Sequence, residues 1–260
     1  MRIKVDLERT SKNDELTINY SYKLAAVLFG ALSIASKELA TKIHETKKYK
    51  FYTFSQLHIP ERQILDDRIK ITGDKAYFYI SSPDKNLIRA FVEGLLSQGQ
   101  FELDRVSFEI VKLRVYEGPK FEKGRVRFST LSPIVLRVIS DERKTKRVRY
   151  LYVTDTIFYE QLKKNLIRRY TAFYGNAPED ETFEIKRILS FKPVSYLVKG
   201  IYHRGNQLVF EVYGSAELLS FAYDCGLGEK TAMGFGMLKL ARKKKLKEVR
   251  QYARILDTKR

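Results

Sequence analysis

The sequence contains very little cysteine and no tryptophan. Cys225 is the single cysteine among 260 residues. One thiol excludes an internal disulfide framework and zinc sites built from several cysteines. No uninterrupted apolar run reaches about 18 residues, so we expect no membrane-spanning segment. The opening residues alternate in polarity as a strand does and are unlike a signal peptide, so we expect a cytoplasmic protein.

Acidic residues are scarce relative to basic ones. The chain has 49 Lys and Arg residues against 31 Asp and Glu residues, a net charge of +18. A surplus of this size attracts polyanions and releases their counterions. Nucleic acid is therefore the leading partner, and an anionic membrane surface is the second. Hydrophobic residues make up 44% of the chain, enough for a buried core in one large domain or two ordinary ones.

The first part of the chain predicts a β-α-β-β-α-β order of elements. Apolar residues alternate over residues 2–8, which indicates a strand, and recur at helical spacing from Ser21. Ser36 is placed to cap a second helix that ends near His44. Further strands are predicted over residues 51–55, 64–71 and 76–81, then a helix after Asp84 and a strand pair within 101–115.

The same order of elements follows Gly118-Pro119, which we take as a domain boundary. The later elements are strands 121–128 and 134–139, a charged hairpin tip over 141–147, a helix over 156–174, strands 183–189 and 194–202, a turn at 204–206, a strand over 208–213, a helix over 215–223 and a closing strand over 236–240. This order is the ferredoxin-like arrangement. We therefore predict an α+β fold with two tandem ferredoxin-like domains, residues 1–118 and 119–241.

Residues 242–260 form a basic tail. They carry nine basic residues against two acidic ones. Leu246, Val249, Ala253 and Leu256 fall at helical spacing, which predicts a basic amphipathic helix. Such a helix either packs on the domain as a solvated element or contacts nucleic acid, and the sequence leaves both open.

A glycine-rich stretch, residues 226–236, is the most distinctive segment, and we call it the glycine loop. Its glycines stand in two G-x-G pairs around a polar segment: Gly226, Gly228, Gly234 and Gly236, with Lys230 and Thr231 between the pairs. Glycine permits positive φ and close approach of the backbone to a ligand. The alternative is a turn before an edge strand. The loop matches neither a P-loop nor the dinucleotide fingerprint, because Glu229 separates Gly228 from Lys230 and Thr231 stands where a third glycine is needed.

The glycine loop has the pattern G-h-G-x5-G-x-G near the end of a second ferredoxin-like domain. In this it resembles the signature of the repeat-associated mysterious protein superfamily of CRISPR systems, and most closely its repeat-RNA endoribonuclease family, the sixth Cas family. The resemblance covers nearly the whole chain and includes the opening strand, the helix around residues 24–35, Ile43-His44-Glu45, residues 51–55, Thr130-Leu131-Ser132-Pro133 and residues 226–236. It implies two domains that face each other across a basic cleft, with the glycine loop supporting the repeat RNA.

Cutting RNA without a metal requires a base for a 2′-hydroxyl, a cation for the phosphorane and an acid for the leaving 5′-oxygen. The chain has three histidines. His44 stands at the predicted end of a helix among several lysines, a setting that favours its protonated form. His58 and His203 remain alternatives from chemistry alone. The resemblance selects His44, because it stands in the place of the family's catalytic histidine.

Lys50 stands at the offset of the family lysine that completes the site, although it could be one more surface lysine in a basic run. The third member in related archaeal enzymes is a tyrosine about fifteen residues before the histidine, where this chain has Phe29. A phenyl ring packs or stacks but transfers no proton. The tyrosines that could substitute for it are Tyr20, Tyr22, Tyr49 and Tyr52.

RNA binding would combine phosphate contacts with stacking on exposed aromatic rings. Tyr77 and Tyr79 share one face of their strand and Phe78 and Ile80 the other, so at most one pair is available for bases. The basic residues in loop settings are Arg143, Lys144, Lys146, Arg147 and Lys230, of which we rank Lys230 first. The acidic clusters, residues 66–67 and 179–181, show no paired spacing with histidine, and we interpret them as solvated surface rather than a metal site.

The sequence thus predicts an endoribonuclease that needs no metal or other cofactor and cleaves CRISPR repeat RNA, leaving 2′,3′-cyclic phosphate and 5′-hydroxyl ends. A repeat-RNA-binding protein of the same family with little cleavage is the alternative, and a generic RNA-binding protein is a weaker one. The expected partner is CRISPR repeat RNA within precursor transcripts. A CRISPR effector complex and a second copy of the chain are further candidate partners.

Overall fold

The computed structural model describes residues 1–46, 48–142 and 145–241. The predicted tail helix and two of the predicted RNA-binding residues, Arg143 and Lys144, lie outside the described residues. Within the described ranges, no helix is long and apolar enough to cross a membrane.

The first half of the chain is built on a five-stranded sheet. Its elements are β1 (Arg2–Arg9), β2 (Glu15–Thr17), α1 (Ser21–Ala35), α2 (Lys37–Glu45), β3 (Thr53–Phe54), β4 (Arg62–Ile64), β5 (Arg68–Ile71), β6 (Lys75–Ser81), α3 (Lys85–Gln98), β7 (Gln100–Leu103) and β8 (Val106–Tyr116). The sheet order is β3-β6-β1-β8-β7, with every neighbouring pair antiparallel. A smaller sheet has the order β2-β5-β4, and α1 packs against α3.

The second half repeats this plan with four strands. Its elements are β9 (Gly124–Thr130), β10 (Arg137–Glu142), β11 (Thr145–Tyr150), α4 (Phe158–Tyr174), β12 (Phe183–Val198), β13 (Ile201–Gly214), α5 (Ala216–Cys225), a 3-10 turn (Thr231–Met233) and β14 (Leu238–Leu240). The main sheet has the order β12-β13-β9-β14, and β10 and β11 form a separate hairpin. Each half thus has its first strand between two later ones.

Local sequence signals account for the helix ends. Ser36 accepts a hydrogen bond from the Leu39 amide, so it caps α2 as predicted. Asp84 and Ser215 cap α3 and α5 in the same way. Buried and partly exposed faces alternate along β6, as predicted. Phe78 and Ile80 are fully buried, which leaves Tyr77 and Tyr79 on the other face.

Three predicted segments are wrong. The predicted strand over 194–202 is not continuous, because β12 ends at Val198 and β13 begins at Ile201. The continuous strand over residues 64–71 is interrupted, because β4 and β5 are two strands that pair with each other. The predicted turn at 204–206 lies inside β13, and the chain reverses instead at Lys199-Gly200, where both residues have positive φ. Gly205 is needed for close packing rather than turning, since a Cβ there would stand 3.1 Å from the Ile134 carbonyl oxygen. The polar Asn206 is buried, and its amide bonds the carbonyls of Ile134 and Leu151.

Candidate active site and nucleic-acid interface

His44 lies in the last turn of α2, as predicted, and its side chain is exposed. Its imidazole ring is 5.7 Å from the ring of Phe29 on α1, measured between centroids. Phe29 is half-buried and packs on the core of the first half. The residue that stands in place of the family tyrosine is therefore a direct neighbour of the candidate catalytic histidine.

Lys50 follows α2 and lies against the glycine loop. Its carbonyl oxygen accepts a hydrogen bond from the Thr231 hydroxyl at 3.4 Å and another from the Tyr52 amide at 2.9 Å. The Thr231–Met233 turn also contacts α1 and β3. The loop near the end of the chain therefore lies next to the segment that carries the candidate lysine.

The four tyrosines that could supply the hydroxyl absent from Phe29 differ in burial and in position. Tyr20 and Tyr52 are 4% and 3% exposed, and burial raises the pKa of both. Tyr22 lies seven residues before Phe29 on α1, about 10 Å along the helix axis, and its ring lies under Lys199. Tyr49 belongs to the segment that joins α2 to Lys50, and its side chain is half-buried. Tyr49 is thus the one of the four that is neither buried nor displaced along α1.

The glycines of the loop are explained by contacts within the protein. Gly226, Gly228, Gly234 and Gly236 all have positive φ, between 76° and 82°. A Cβ on Gly228 would stand 2.4 Å from the Val135 carbonyl oxygen, and one on Gly236 would stand 2.0 Å from the Leu227 carbonyl oxygen. Any larger residue at Gly228 or Gly236 would clash with these carbonyl oxygens, so the observed loop conformation requires glycine there. A direct contact of these glycines and Thr231 with RNA stays a prediction.

A buried arginine that the sequence analysis missed holds the loop from beneath. Arg169 on α4 is 2% exposed. Its guanidinium donates to the carbonyls of Cys225, Gly226 and Gly228 at 2.7, 2.9 and 3.2 Å. Its position could have been noticed, because it falls seven residues after Leu162 on the apolar stripe of α4. An arginine on such a stripe needs buried acceptors, and the loop carbonyls provide them.

The segments that carry the family resemblance meet at the glycine loop. The Thr53 hydroxyl donates to the Phe235 carbonyl at 2.8 Å. Ser132 donates to the Phe54 carbonyl at 3.1 Å and accepts from the Met237 amide at 3.0 Å. The motif residues on β3, after β9 and in the loop thus form one hydrogen-bonded junction between the two halves.

Lys230 stands at the tip of the loop with a left-handed backbone (φ 57°) and a half-buried side chain. Burial, aided by the nearby Arg137, lowers the pKa of its amine, while Glu229 opposes that change. Arg137 itself pairs with Glu229 at 2.7 Å. Lys230 has no ion pair within the described part of the chain, so its amine is free to meet an anion.

The other two histidines have different surroundings. His58 is exposed and lies over the ring of Tyr77, with centroids 4.5 Å apart. His203 is 4% exposed, and its Nδ1 shares a 2.8 Å hydrogen bond with the Tyr150 hydroxyl. Burial, with Lys230 and Arg137 nearby, lowers the pKa of His203 to about 4. A histidine with this pKa is neutral near pH 7 and a poor proton donor to a leaving group.

The first sheet presents an aromatic and basic face. Lys4 lies 4.0 Å from the centroid of the Tyr77 ring, and the Tyr77 and Tyr79 rings meet edge to face. A cavity of about 590 Å³ opens beside them, with Tyr79, Tyr116 and Tyr223 among its walls and Arg2 and Lys239 at its sides. Such a combination of cations and rings suits single-stranded nucleic acid.

Asp180, in the acidic cluster 179–181, is held by contacts within the protein. Asp180 pairs with Lys123 at 2.8 Å, and the Thr182 hydroxyl and amide also donate to it. These contacts lower the pKa of Asp180 to about 2. Across residues 1–46, 48–142 and 145–241, no group of three or more His, Cys, Asp or Glu side chains is placed to hold a metal ion.

Comparison with known proteins gives consistent matches along the chain. Residues 15–114 match the family model described as CRISPR-associated protein Cas6, N-terminal, and residues 116–240 match the model described as CRISPR associated protein Cas6, C-terminal. A protein of Methanocaldococcus jannaschii named CRISPR-associated endoribonuclease Cas6 1 is 37% identical over 239 residues, 92% of either chain. A protein of Pyrococcus horikoshii, described as endoribonuclease-like and named Cas6nc, is 36% identical over 92% of this chain and 99% of its own.

Solved structures show the same likeness in three dimensions. A Cas6-related protein from Pyrococcus furiosus superposes with a TM-score of 0.87 at 34% identity, over 94% of this chain and 99% of its own. A structure described as a RAMP protein binding different RNA substrates has a TM-score of 0.86 at 35% identity, over 93% of this chain and all of its own.

Proposed function

The chain belongs to the Cas6 family of CRISPR-associated proteins, and from this premise we propose that it binds CRISPR repeat RNA and cuts precursor transcripts into guide RNAs. One observation carries the proposal. The exposed His44 contacts Phe29 of α1, α1 contacts the Thr231–Met233 turn of the glycine loop, and the Thr231 hydroxyl bonds the Lys50 carbonyl. The relatives named as endoribonucleases and the RNA-binding neighbour support it.

We propose that His44 transfers the proton and Lys50 stabilises the charge. The 2′-hydroxyl attacks the adjacent phosphorus, the bond to the 5′-oxygen breaks, and a 2′,3′-cyclic phosphate and a 5′-hydroxyl remain. His44 gives a proton to the departing oxygen, and it also serves as the base for the 2′-hydroxyl where no second group does so. The ammonium of Lys50 offsets negative charge on the phosphorane, so no metal is required.

Binding without meaningful cleavage is the second candidate function. Phe29 favours it, because its ring stands beside His44 where the family tyrosine would carry a hydroxyl. Among the four tyrosines considered above, Tyr49 is the candidate to supply that hydroxyl. The endoribonuclease-like description of the Pyrococcus horikoshii relative is in keeping with this second function.

We also propose that residues 1–118 and 119–241 are two ferredoxin-like domains facing across a basic cleft. The antiparallel orders β3-β6-β1-β8 and β12-β13-β9-β14 support this, because each places the first strand of its half beside the third and the last. In this arrangement Tyr77 and Tyr79 face the cleft and stack on bases, Lys4 lies beside Tyr77, and the glycine loop supports the RNA backbone with Lys230.

The test is cleavage of labelled repeat RNA, taken from the CRISPR array of the same genome, in the presence of EDTA. The unmodified chain should cut in EDTA. His44→Ala should slow cutting of bound RNA by about 10²–10⁴-fold, with nearly unchanged affinity. His58→Ala is the matched control and should keep the cutting rate.

Three results would change the proposal. Loss of cutting in EDTA by the unmodified chain would end the metal-free mechanism. Intact RNA in a stable complex would select the binding function. Equal affinity for repeat and scrambled RNA would leave only a generic RNA-binding protein.

A further inference from the structure

A second cavity, of about 340 Å³, is lined in part by Lys230 and Met233 of the glycine loop. Its walls come from the β10–β11 hairpin, the β12–β13 turn and the loop itself, and we call it the hairpin pocket. The residues that matter below are Arg137, Tyr150, Lys199, Tyr202, His203 and Lys230. A volume of this size lies in the range of small-ligand sites.

The charge of the hairpin pocket is positive. Lys199 and Lys230 contribute two ammonium groups, and Arg137 adds a third cation that Glu229 neutralises. Lys230 is half-buried and has no ion pair among the described residues. Partial burial strengthens its attraction to an anion, because the surrounding dielectric is lower than that of water.

The rim of the hairpin pocket is apolar and unusually exposed. Tyr202 is 62% exposed and Ile201 is 60% exposed, both next to the β12–β13 turn. Val148 on β11 is 48% exposed and lines the same pocket. A flat ring beside aliphatic side chains and the ammonium groups of Lys199 and Lys230 matches a nucleotide, which has a planar base and an anionic phosphate.

The floor of the hairpin pocket carries a hydrogen-bonding group. His203 is buried, and its Nδ1 is engaged with the Tyr150 hydroxyl at 2.8 Å. Within the described ranges Nε2 has no hydrogen-bond partner. The lowered pKa of His203 keeps this ring neutral, so it is suited to reading the edge of a base rather than to holding a phosphate.

The hairpin pocket and the proposed cutting site share one wall. Lys230 lines the pocket, and the next residue, Thr231, bonds the Lys50 carbonyl. Met233 also lines the pocket, while its turn contacts α1, the helix that carries Phe29. The hairpin pocket therefore lies next to the loop residue that bonds the Lys50 backbone.

We propose that the hairpin pocket takes up one unstacked nucleotide of the repeat RNA close to the cut phosphate. Its base stacks on Tyr202 and presents its edge to His203, while Lys199 and Lys230 hold the neighbouring phosphates. This assignment rests on the proposed function and adds a base-selective subsite to it. RNA is favoured over a protein partner because the ammonium groups of Lys199 and Lys230 border the ring.

The test uses His44→Ala protein, so that the RNA stays whole, and repeat RNAs that carry 2-aminopurine at one position each. One position near the cut should change its fluorescence on binding, because its base leaves the RNA stack for the pocket. Adding Tyr202→Ala should abolish that change at this position alone and weaken affinity about 5–100-fold, the usual loss for one stacked base. Tyr174→Ala, which removes a 49% exposed tyrosine from α4, is the matched control and should have neither effect.

The outcomes separate the two proposals. Repeat RNA that binds and is cut by the unmodified chain, with no response at any position to Tyr202→Ala, overturns the pocket and leaves the exposed rim to a protein partner. A chain that binds no repeat RNA overturns both the pocket and the proposed function. The thermal midpoint of Tyr202→Ala should match that of the parent protein, since the removed ring is mostly in solvent.

Discussion

The rings of Phe29 and His44 lie 5.7 Å apart, inclined at 54°. The two residues come from different helices, α1 and α2, and the ring of Phe29 also packs on the core. A hydroxyl added to this ring would extend from a side chain that is already held beside the imidazole. The site therefore lacks one functional group rather than a whole side chain.

Phe29→Tyr should accelerate cleavage, because it places a phenol beside His44. A group that assists proton transfer contributes about 10²–10⁴-fold when well placed, so we expect a gain of at least about 10-fold in single-turnover cutting. Phe29→Leu, which keeps an apolar side chain, is the control and should give no gain. An unchanged rate in Phe29→Tyr would show that the missing hydroxyl does not limit cleavage.

Arg169→Met should loosen the glycine loop and destabilise the protein. It leaves the carbonyls of Cys225, Gly226 and Gly228 without their shared donor in a buried site. The expected loss in free energy of unfolding is at least about 3 kcal/mol, since three bonds to a charged donor are lost together and each contributes roughly 1.5–3 kcal/mol. Urea unfolding measures the loss, and hydrogen exchange at the Leu227 and Glu229 amides measures the loosening.

Arg168→Met is the matched control for Arg169. Arg168 is the adjacent residue of α4, is exposed, and bonds the carbonyl of Lys164 in its own helix. We expect it to change stability by less than about 0.5 kcal/mol, as surface substitutions usually do. Similar effects of the two substitutions would mean that the loop does not depend on the buried guanidinium.

Lys230→Gln should weaken RNA affinity and reduce its dependence on salt. Loss of one phosphate contact lowers the slope of log K against log salt by about 0.7 for single-stranded RNA. Binding titrations from low to moderate salt measure the slope. Lys85→Gln removes the same charge from the exposed start of α3 and should leave the slope unchanged. A normal slope with slow cutting of bound RNA would instead place Lys230 in the chemistry.

Acid should destabilise the protein through His203. The pKa of this residue in the folded state is about 4, below its ordinary value of 6.5, so the unfolded chain binds the proton more readily. The stabilisation is complete above about pH 6.5 and is lost as the pH falls towards 4. Thermal midpoints of the unmodified chain should therefore fall more steeply over this range than those of His203→Asn. The steep fall should persist in His58→Asn, and parallel curves for all three proteins would contradict the assignment.

Local patterns predicted most of the elements. The cap at Ser36 and the alternation along β6 depend on neighbours within a few residues, and the structure confirms both. The turn at 204–206 was wrong because an Arg-Gly-Asn triplet has the composition of a turn. Only packing against Ile134 and the buried bonds of Asn206 show why these residues lie inside a strand.

The sequence by itself determined the helix that ends near His44, the charge balance and the glycine pattern, because each depends on residue type and short spacing. The tertiary structure decided which of these come together. The Thr231 hydroxyl meets the Lys50 carbonyl across 181 residues, and Arg169 meets Gly226 across 57. Contacts at such separations depend on the order of the strands and on how the two halves pack, and no local preference specifies either. The same long-range packing turned His203, one candidate acid among three in the sequence, into a buried and neutral residue.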